Sequence, residues 1–173
     1  MRIILVAAAL LVSVGASLSS RAEHRPERLR LMSYNVRGGM GMDDRRDYDR
    51  AAAVIRDHRP DICALQELDS ITGRNGRTDA LREFAERTGM HGVFGRAIDY
   101  DGGAYGIGLL SREEPQAVRR VAMPGREEAR ALIVAEFADY VFLATHFSLT
   151  EADQLTSVRM VDSLAALYPG RAV

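Results

Sequence analysis

The stretch that most constrains the fold is Pro60 to Asp69, PDICALQELD. An apolar run of this length, closed by Pro60 on one side and polar residues on the other, predicts a short interior parallel strand over Ile62 to Leu68, covered on both faces. Its far end is expected to deliver Gln66 and Glu67 into a loop, and open α/β sheets bind ligands outside the carboxyl ends of their strands. Upstream, Leu29 to about Val36 alternates apolar and polar residues as a first strand, and a Gly-rich loop, Arg37 to Asp47, follows. That loop lacks the GK[ST] ending of a phosphate-binding P-loop. Asp47 can cap a helix in which Ala51, Val54 and Ile55 recur at helical spacing, with Pro60 as its end. Strand, helix and strand in this order make a right-handed βαβ unit. Asn35 and Glu67 are therefore expected at the same edge of adjacent parallel strands.

Farther along, Asn75-Gly76 is a turn signal, and a second helix is expected over Thr78 to Thr88, with Leu81, Phe84 and Ala85 inward and Gly89 as its stop. From His91 the period becomes strand-like. Val93 to Ile98 and Tyr105 to Leu110 flank Asp99 to Gly103 as a hairpin, and Val118 to Met123 and Ala131 to Phe137 follow as further strands. Val141 to Leu149 (VFLATHFSL) is another, whose polar residues are Thr145 and His146. Thr150 is expected to cap a last helix, with Asp153 at the capping-box position and Leu155, Val158, Val161, Leu164 and Ala165 as its apolar stripe. Pro169 and Gly170 end it.

The 173 residues, 47% hydrophobic and 27% charged, suit one domain with a real core and argue against disorder or a coiled coil. All 23 cationic side chains are arginine, so lysine-based nucleophilic or Schiff-base chemistry is excluded. A net charge of -1 gives no electrostatic case for a polyanion partner. The single Cys63 has no partner for an internal disulfide and reads as a small buried hydrophobe.

Residues 1–22 have the layout of a secretory signal: Arg2, an apolar run from Ile3 to Val14, then the small residues of GASLSSRA. The run is too short for a membrane span of about twenty residues, so no transmembrane segment is expected in the mature chain. Cleavage after Ala16 or after Ala22 fits, and the product is expected to be secreted or periplasmic. Residues 23–28 read as a polar linker and 29–173 as the folded part.

Together, LQELD around Glu67, SYNVRGG around Asn35, ATHFSL around His146, EEARALIV around Arg130 and the glycine-rich GGAYGIGLLSR resemble the endonuclease/exonuclease/phosphatase family. This is the metal-dependent fold of DNase I, exonuclease III, bacterial sphingomyelinases and inositol-polyphosphate phosphatases, and the resemblance spans about residues 29 to 168. It implies a DNase I-like four-layer α/β sandwich, with two facing sheets and helices outside. It implies that Glu67 is the ligand of Mg²⁺ (or Mn²⁺), that Asn35 hydrogen-bonds near the metal and the scissile phosphate, and that His146 bonds a phosphate oxygen or assists protonation. The resemblance also implies that Arg130 corresponds in position to a phosphate-contacting arginine of some family members. Such a site needs little protein ligation, because Mg²⁺ is commonly held by one or two carboxylates plus substrate phosphate. Tyr105 is read first as a core tyrosine, with a place in the cleft as the alternative.

The sequence also departs from the family pattern. The family's Gly-Asp-Phe-Asn-like and terminal Ser-Asp-His motifs are absent, since Asn35 and Asn75 are the only asparagines and the only Asp-His dipeptide is Asp57-His58, in the first expected helix. The chain therefore reads as a C-terminally truncated domain in which one sheet loses its later strands. Loss of a general base alone typically removes 10² to 10⁴ in rate, so weak or no turnover is expected of this chain. The function implied is a secreted metal-dependent hydrolase of phosphoric esters, phosphodiesterase or phosphatase. Its substrate would be a lipid head group, an inositol phosphate, a nucleotide or nucleic acid, and nothing indicates a specific protein partner. The alternative is a non-catalytic secreted fragment or binding module that keeps the fold without the chemistry.

Overall fold

The computed structural model describes residues 28–171. The expected signal segment, 1–22, and the linker up to residue 27 lie outside the described residues. The first unit is the expected βαβ: β1 (Leu31–Asn35), α1 (Tyr48–His58) and β2 (Ile62–Ser70), with β1 and β2 parallel and Asn35 opposite Gln66. The Asp47 side chain accepts from the Arg50 amide at 2.9 Å, satisfying a helix-end donor. Arg59, with φ +48, ends the helix one residue before Pro60.

There follow α2 (Ala80–Thr88), capped by Asp79 and stopped by Gly89, and a hairpin of β3 (His91–Tyr100) and β4 (Gly103–Ser111). β4 inserts antiparallel beside β2, giving the four-stranded order β1-β2-β4-β3. β2 is thus interior, as expected, but parallel on one side only. A second sheet contains β5 (Ala117–Met123), β6 (Arg130–Glu136) and β7 (Val141–Thr145), antiparallel in that order. The last element is α3 (Glu151–Ala165).

Three apolar clusters define four layers. Ala51, Ala52 and Ile55 of α1 and Leu81 and Phe84 of α2 pack on Cys63, Leu65 and Leu110 of the first sheet. Ile62, Ala64, Ile107 and Leu109 on its other face meet Ala131, Ile133, Ala135 and Ala144 of the second sheet. Leu132, Val134 and Val141, on the far face of that sheet, are covered by Met160, Val161 and Leu164 of α3. Gly95 lets the sheets approach this closely, because a Cβ there would lie 2.8 Å from the Ile133 side chain.

Two expectations fail at α3. Leu155 and Val158 are half-exposed rather than buried, since only the later part of the stripe reaches the sheet. Asp153 does not close a capping box. Its carboxylate turns away from the helix end to accept from the Arg126 amide at 2.9 Å, and Thr150 makes no side-chain cap.

The larger correction concerns β2. The strand does not release Gln66 and Glu67 into a loop; it continues to Ser70, and Glu67 occupies a β-bulge between Gln66, opposite Ile107, and Leu68, opposite Gly106. Side chains alternate along a strand, so a regular β2 would turn Leu68 toward the second sheet. One inserted residue reverses that parity. Leu68 accordingly packs with Leu65 against the helices, fully buried, while Glu67 takes φ +61. Gly106 faces the bulge on one side and a second bulge in β3, between Arg96 and Ile98, on the other. No side chain fits there: a Cβ on Gly106 would sit 2.1 Å from the Gly95 carbonyl oxygen.

Candidate active site

The βαβ unit ends both parallel strands at one rim, and the bulge aims Glu67 across it at Asn35. Asn35 Nδ2 donates to Glu67 Oε1 at 2.6 Å. The other end of the same carboxamide is also used, since Asn35 Oδ1 accepts from the Arg37 amide at 3.0 Å. The loop backbone therefore sets the Asn35 amide, and the amide sets the Glu67 carboxylate. Glu67 Oε2 makes no hydrogen bond and neither oxygen has a cation within 4.0 Å among the described residues. One carboxylate oxygen is thus held and the other is unengaged among the described residues.

His146 lies one residue beyond the end of β7. Burial and the neighbouring Arg130 guanidinium push its pKa below the ordinary histidine value of 6.5, while Glu67 and Glu128 pull it back upward. His146, Arg130, Glu67 and Glu128 therefore share one neighbourhood, where β2, β6 and the end of β7 meet. At neutral pH His146 is a neutral imidazole that can donate one N–H.

Arg130, at the start of β6, is placed differently from expectation. Its planar fork meets carboxylates instead of facing an open anion site: Nη1 donates to Glu128 Oε1 at 2.7 Å and Nη2 to Glu127 Oε1 at 3.1 Å, with the side chain 10% exposed. Its buried Nε has no partner. Glu127 in turn is held down to a pKa of about 2, first by the Ser148 hydroxyl at 2.7 Å and also by the Leu149 amide. Glu128 is a residue that reading the sequence missed. The Glu127-Glu128 pair looks like a solvated turn, and only the pairing of β6 with its neighbours shows that its charge reaches both His146 and Tyr105.

Tyr105 belongs to the cleft. Burial, and then the charges of Glu67 and Glu128, push its hydroxyl up to about 12, so it stays protonated and can donate. Together with Glu67 it lines a hollow of about 240 Å³, whose other walls are Arg37, Gly38, Met40, Arg46, Asp69 and Arg74. A larger hollow of about 630 Å³ lies beside the β3–β4 turn, yet Asn35, Glu67, Arg130 and His146 are all outside it. Of those four, Glu67 alone lines the smaller one. The Asp57-His58 pair plays no part here, because His58 ends α1 and its Nδ1 lies 2.8 Å from the Val54 carbonyl oxygen.

Among the described residues no group of three or more His, Cys, Asp or Glu side chains is placed to hold a metal ion. A cation at Glu67 would thus have at most two such side chains among the described residues, with water and substrate oxygens as its other donors. That donor set fits the oxygen preference and high water retention of Mg²⁺.

The model of the endonuclease/exonuclease/phosphatase family matches residues 32–158. A comparison with curated proteins finds no match. Among solved structures, similar chains include an endonuclease/exonuclease/phosphatase from Beutenbergia cavernae DSM 12333, 22% identical with a TM-score of 0.62, over 77% of this chain and 43% of that one. Another, from Bacteroides vulgatus, is 18% identical with a TM-score of 0.64, over 82% and 61%. A mannosyl-6-phosphatase from Bacteroides thetaiotaomicron VPI-5482 is 18% identical with a TM-score of 0.59, over 84% and 63%. This chain spans between 43% and 63% of the length of these three. With two facing sheets, outer helices and a family match across most of its length, the chain belongs to the endonuclease/exonuclease/phosphatase family.

Proposed function

We propose that the protein is an exported, divalent-metal-dependent hydrolase of phosphoric esters. The observation that carries this reading is the 2.6 Å contact by which Asn35 fixes one oxygen of Glu67 and leaves the other free at the rim. Glu67 would hold Mg²⁺ (or Mn²⁺). When bound, the ion supplies Lewis-acid polarisation of the phosphoryl oxygens and neutralises charge that builds on them.

The chain's own residues do the rest. Asn35 holds the carboxylate in one orientation, and the Arg37 amide holds Asn35. His146, neutral at pH 7, offers an N–H to a phosphoryl or leaving-group oxygen, where a fixed donor stabilises developing negative charge. Arg130 is tied to Glu127 and Glu128, so its part is to fix Glu128 and to place positive charge beside His146 rather than to grip phosphate in a fork. Export rests on the layout of residues 1–22, and sequencing the N-terminus of protein recovered from periplasm or medium tests it. A start at Met1 would contradict it.

A second reading, a binding module without turnover, is favoured by the absence of a three-ligand metal group among the described residues and of any Asp-x-Asn in the sequence. One assay separates the two. Slow hydrolysis of an aryl phosphomonoester or phosphodiester that stops with chelator supports the hydrolase, whereas substrate-analogue binding with no hydrolysis above the metal-only rate supports the module.

A further inference from the structure

The hollow beside Glu67 holds three guanidinium groups, more than one scissile phosphate needs. Arg74 is fixed twice. Its Nε donates to both oxygens of Asp69, at 2.9 and 3.2 Å, and that carboxylate is only 2% exposed. Its guanidinium also lies over Tyr100 and Tyr105, 4.3 and 5.1 Å from the ring centroids. Its two terminal nitrogens donate to nothing among the described residues. Arg46 is fixed by carbonyls, with Nε on Gly38 at 2.9 Å and Nη1 on Arg74 at 2.8 Å, and it has no carboxylate within 4.0 Å among the described residues. Arg37 is exposed, and among the described residues its side chain makes one hydrogen bond, to the Met42 sulfur at 3.4 Å.

Asp69 neutralises one of these cations, and Glu67 is committed to the metal in the reading above. Two positive charges and at least three unengaged donor nitrogens then face the same polar hollow of about 240 Å³. Guanidinium groups held in place lose little freedom on binding, and their donor geometry matches phosphate oxygens. We infer that this hollow binds a second phosphoryl group of the substrate, so that the favoured substrates are small molecules carrying two phosphates, one at Glu67 and one on Arg37, Arg46 and Arg74. This rests on the phosphoric-ester reading and specifies its substrate class.

The test is calorimetric titration of the full chain in Mg²⁺ with propane-1,3-diyl bisphosphate, propyl phosphate and inorganic phosphate. The bisphosphate should bind at least about tenfold more tightly than the monophosphate, the scale of one charge-assisted contact. Arg37→Gln, which breaks no ion pair, should shrink that preference severalfold, and Arg74→Gln should nearly abolish it if the chain still melts cooperatively. Equal binding of the two esters, or a preference that survives Arg37→Gln, overturns the inference. So does inorganic phosphate binding as tightly as the bisphosphate, which would mark a site for free phosphate. Glu67→Gln separates the two levels: loss of Mg²⁺ dependence together with collapse of the bisphosphate preference, while binding of a single phosphate stays sensitive to Arg37→Gln, supports both, whereas unchanged Mg²⁺ dependence contradicts the metal assignment alone.

Discussion

Asn35 and Glu67, 32 positions apart, are joined by a 2.6 Å hydrogen bond that exists because Glu67 is the extra residue of a bulge. Two structural devices meet in that contact. Parallel pairing of β1 with β2 brings both residues to one rim, and the bulge turns the Glu67 side chain out of the alternation.

Asn35→Ala should therefore weaken Mg²⁺ affinity without removing it. Loss of a group that orients a metal ligand typically lowers affinity 10- to 100-fold. Titration calorimetry measures it, and an unchanged affinity would mean that Asn35 does not position Glu67.

The bulge also predicts a conflict between stability and function. A non-glycine residue at φ +61 is strained by about 1 kcal/mol, and glycine is not. Glu67→Gly should raise the stability in urea by up to about 1 kcal/mol while abolishing metal binding. A destabilised Glu67→Gly variant would show that the carboxylate contact with Asn35 outweighs the strain.

Gly106 should tolerate nothing larger. Alanine there would drive its Cβ against the Gly95 carbonyl and the Ala97 amide between two bulges, and overpacking of this kind costs about 1 to 3 kcal/mol or more. Gly76→Ala is the comparison, because no atom lies within 4 Å of a Cβ at that position and only its positive φ opposes the change. Denaturant melts should show the larger loss at Gly106.

His146 gives a pH signature. Its folded pKa lies below 6.5, so the unfolded chain binds the proton first as pH falls, and stability drops below about pH 6.5. His146→Gln should lose less stability between pH 7 and pH 5 than the parent chain does. In an NMR titration, Arg130→Gln should raise the His146 pKa and Glu67→Gln should lower it further. The reverse order would contradict the shared neighbourhood.

The frame of this site was legible in the residues. A helix cap at Asp47, helical spacing in α1 and a buried run at Ile62 are local patterns, and they suffice to bring Asn35 and Glu67 to one edge. The bulge was not legible. The polar pair Gln66-Glu67 reads as the end of the strand, and a glutamate gives no sign of a left-handed backbone, whereas Gly106 supplies the room from a strand some forty residues away in sequence. Glu128 was hidden for the same reason, as the groups it faces, Tyr105 on β4 and His146 past the end of β7, are distant in sequence. The α3 stripe misled because spacing tells which face is apolar, and only the length of sheet beneath decides how much of that face is covered.

Everything proposed for this site depends on Glu67 holding the metal. Titrating Mg²⁺ into the parent chain and into Glu67→Gln tests it directly, since the amide keeps the shape and removes the charge. Weak binding to the parent and none detectable in the variant are expected, with His146→Ala close to the parent. Equal Mg²⁺ affinity in the parent and Glu67→Gln would contradict it.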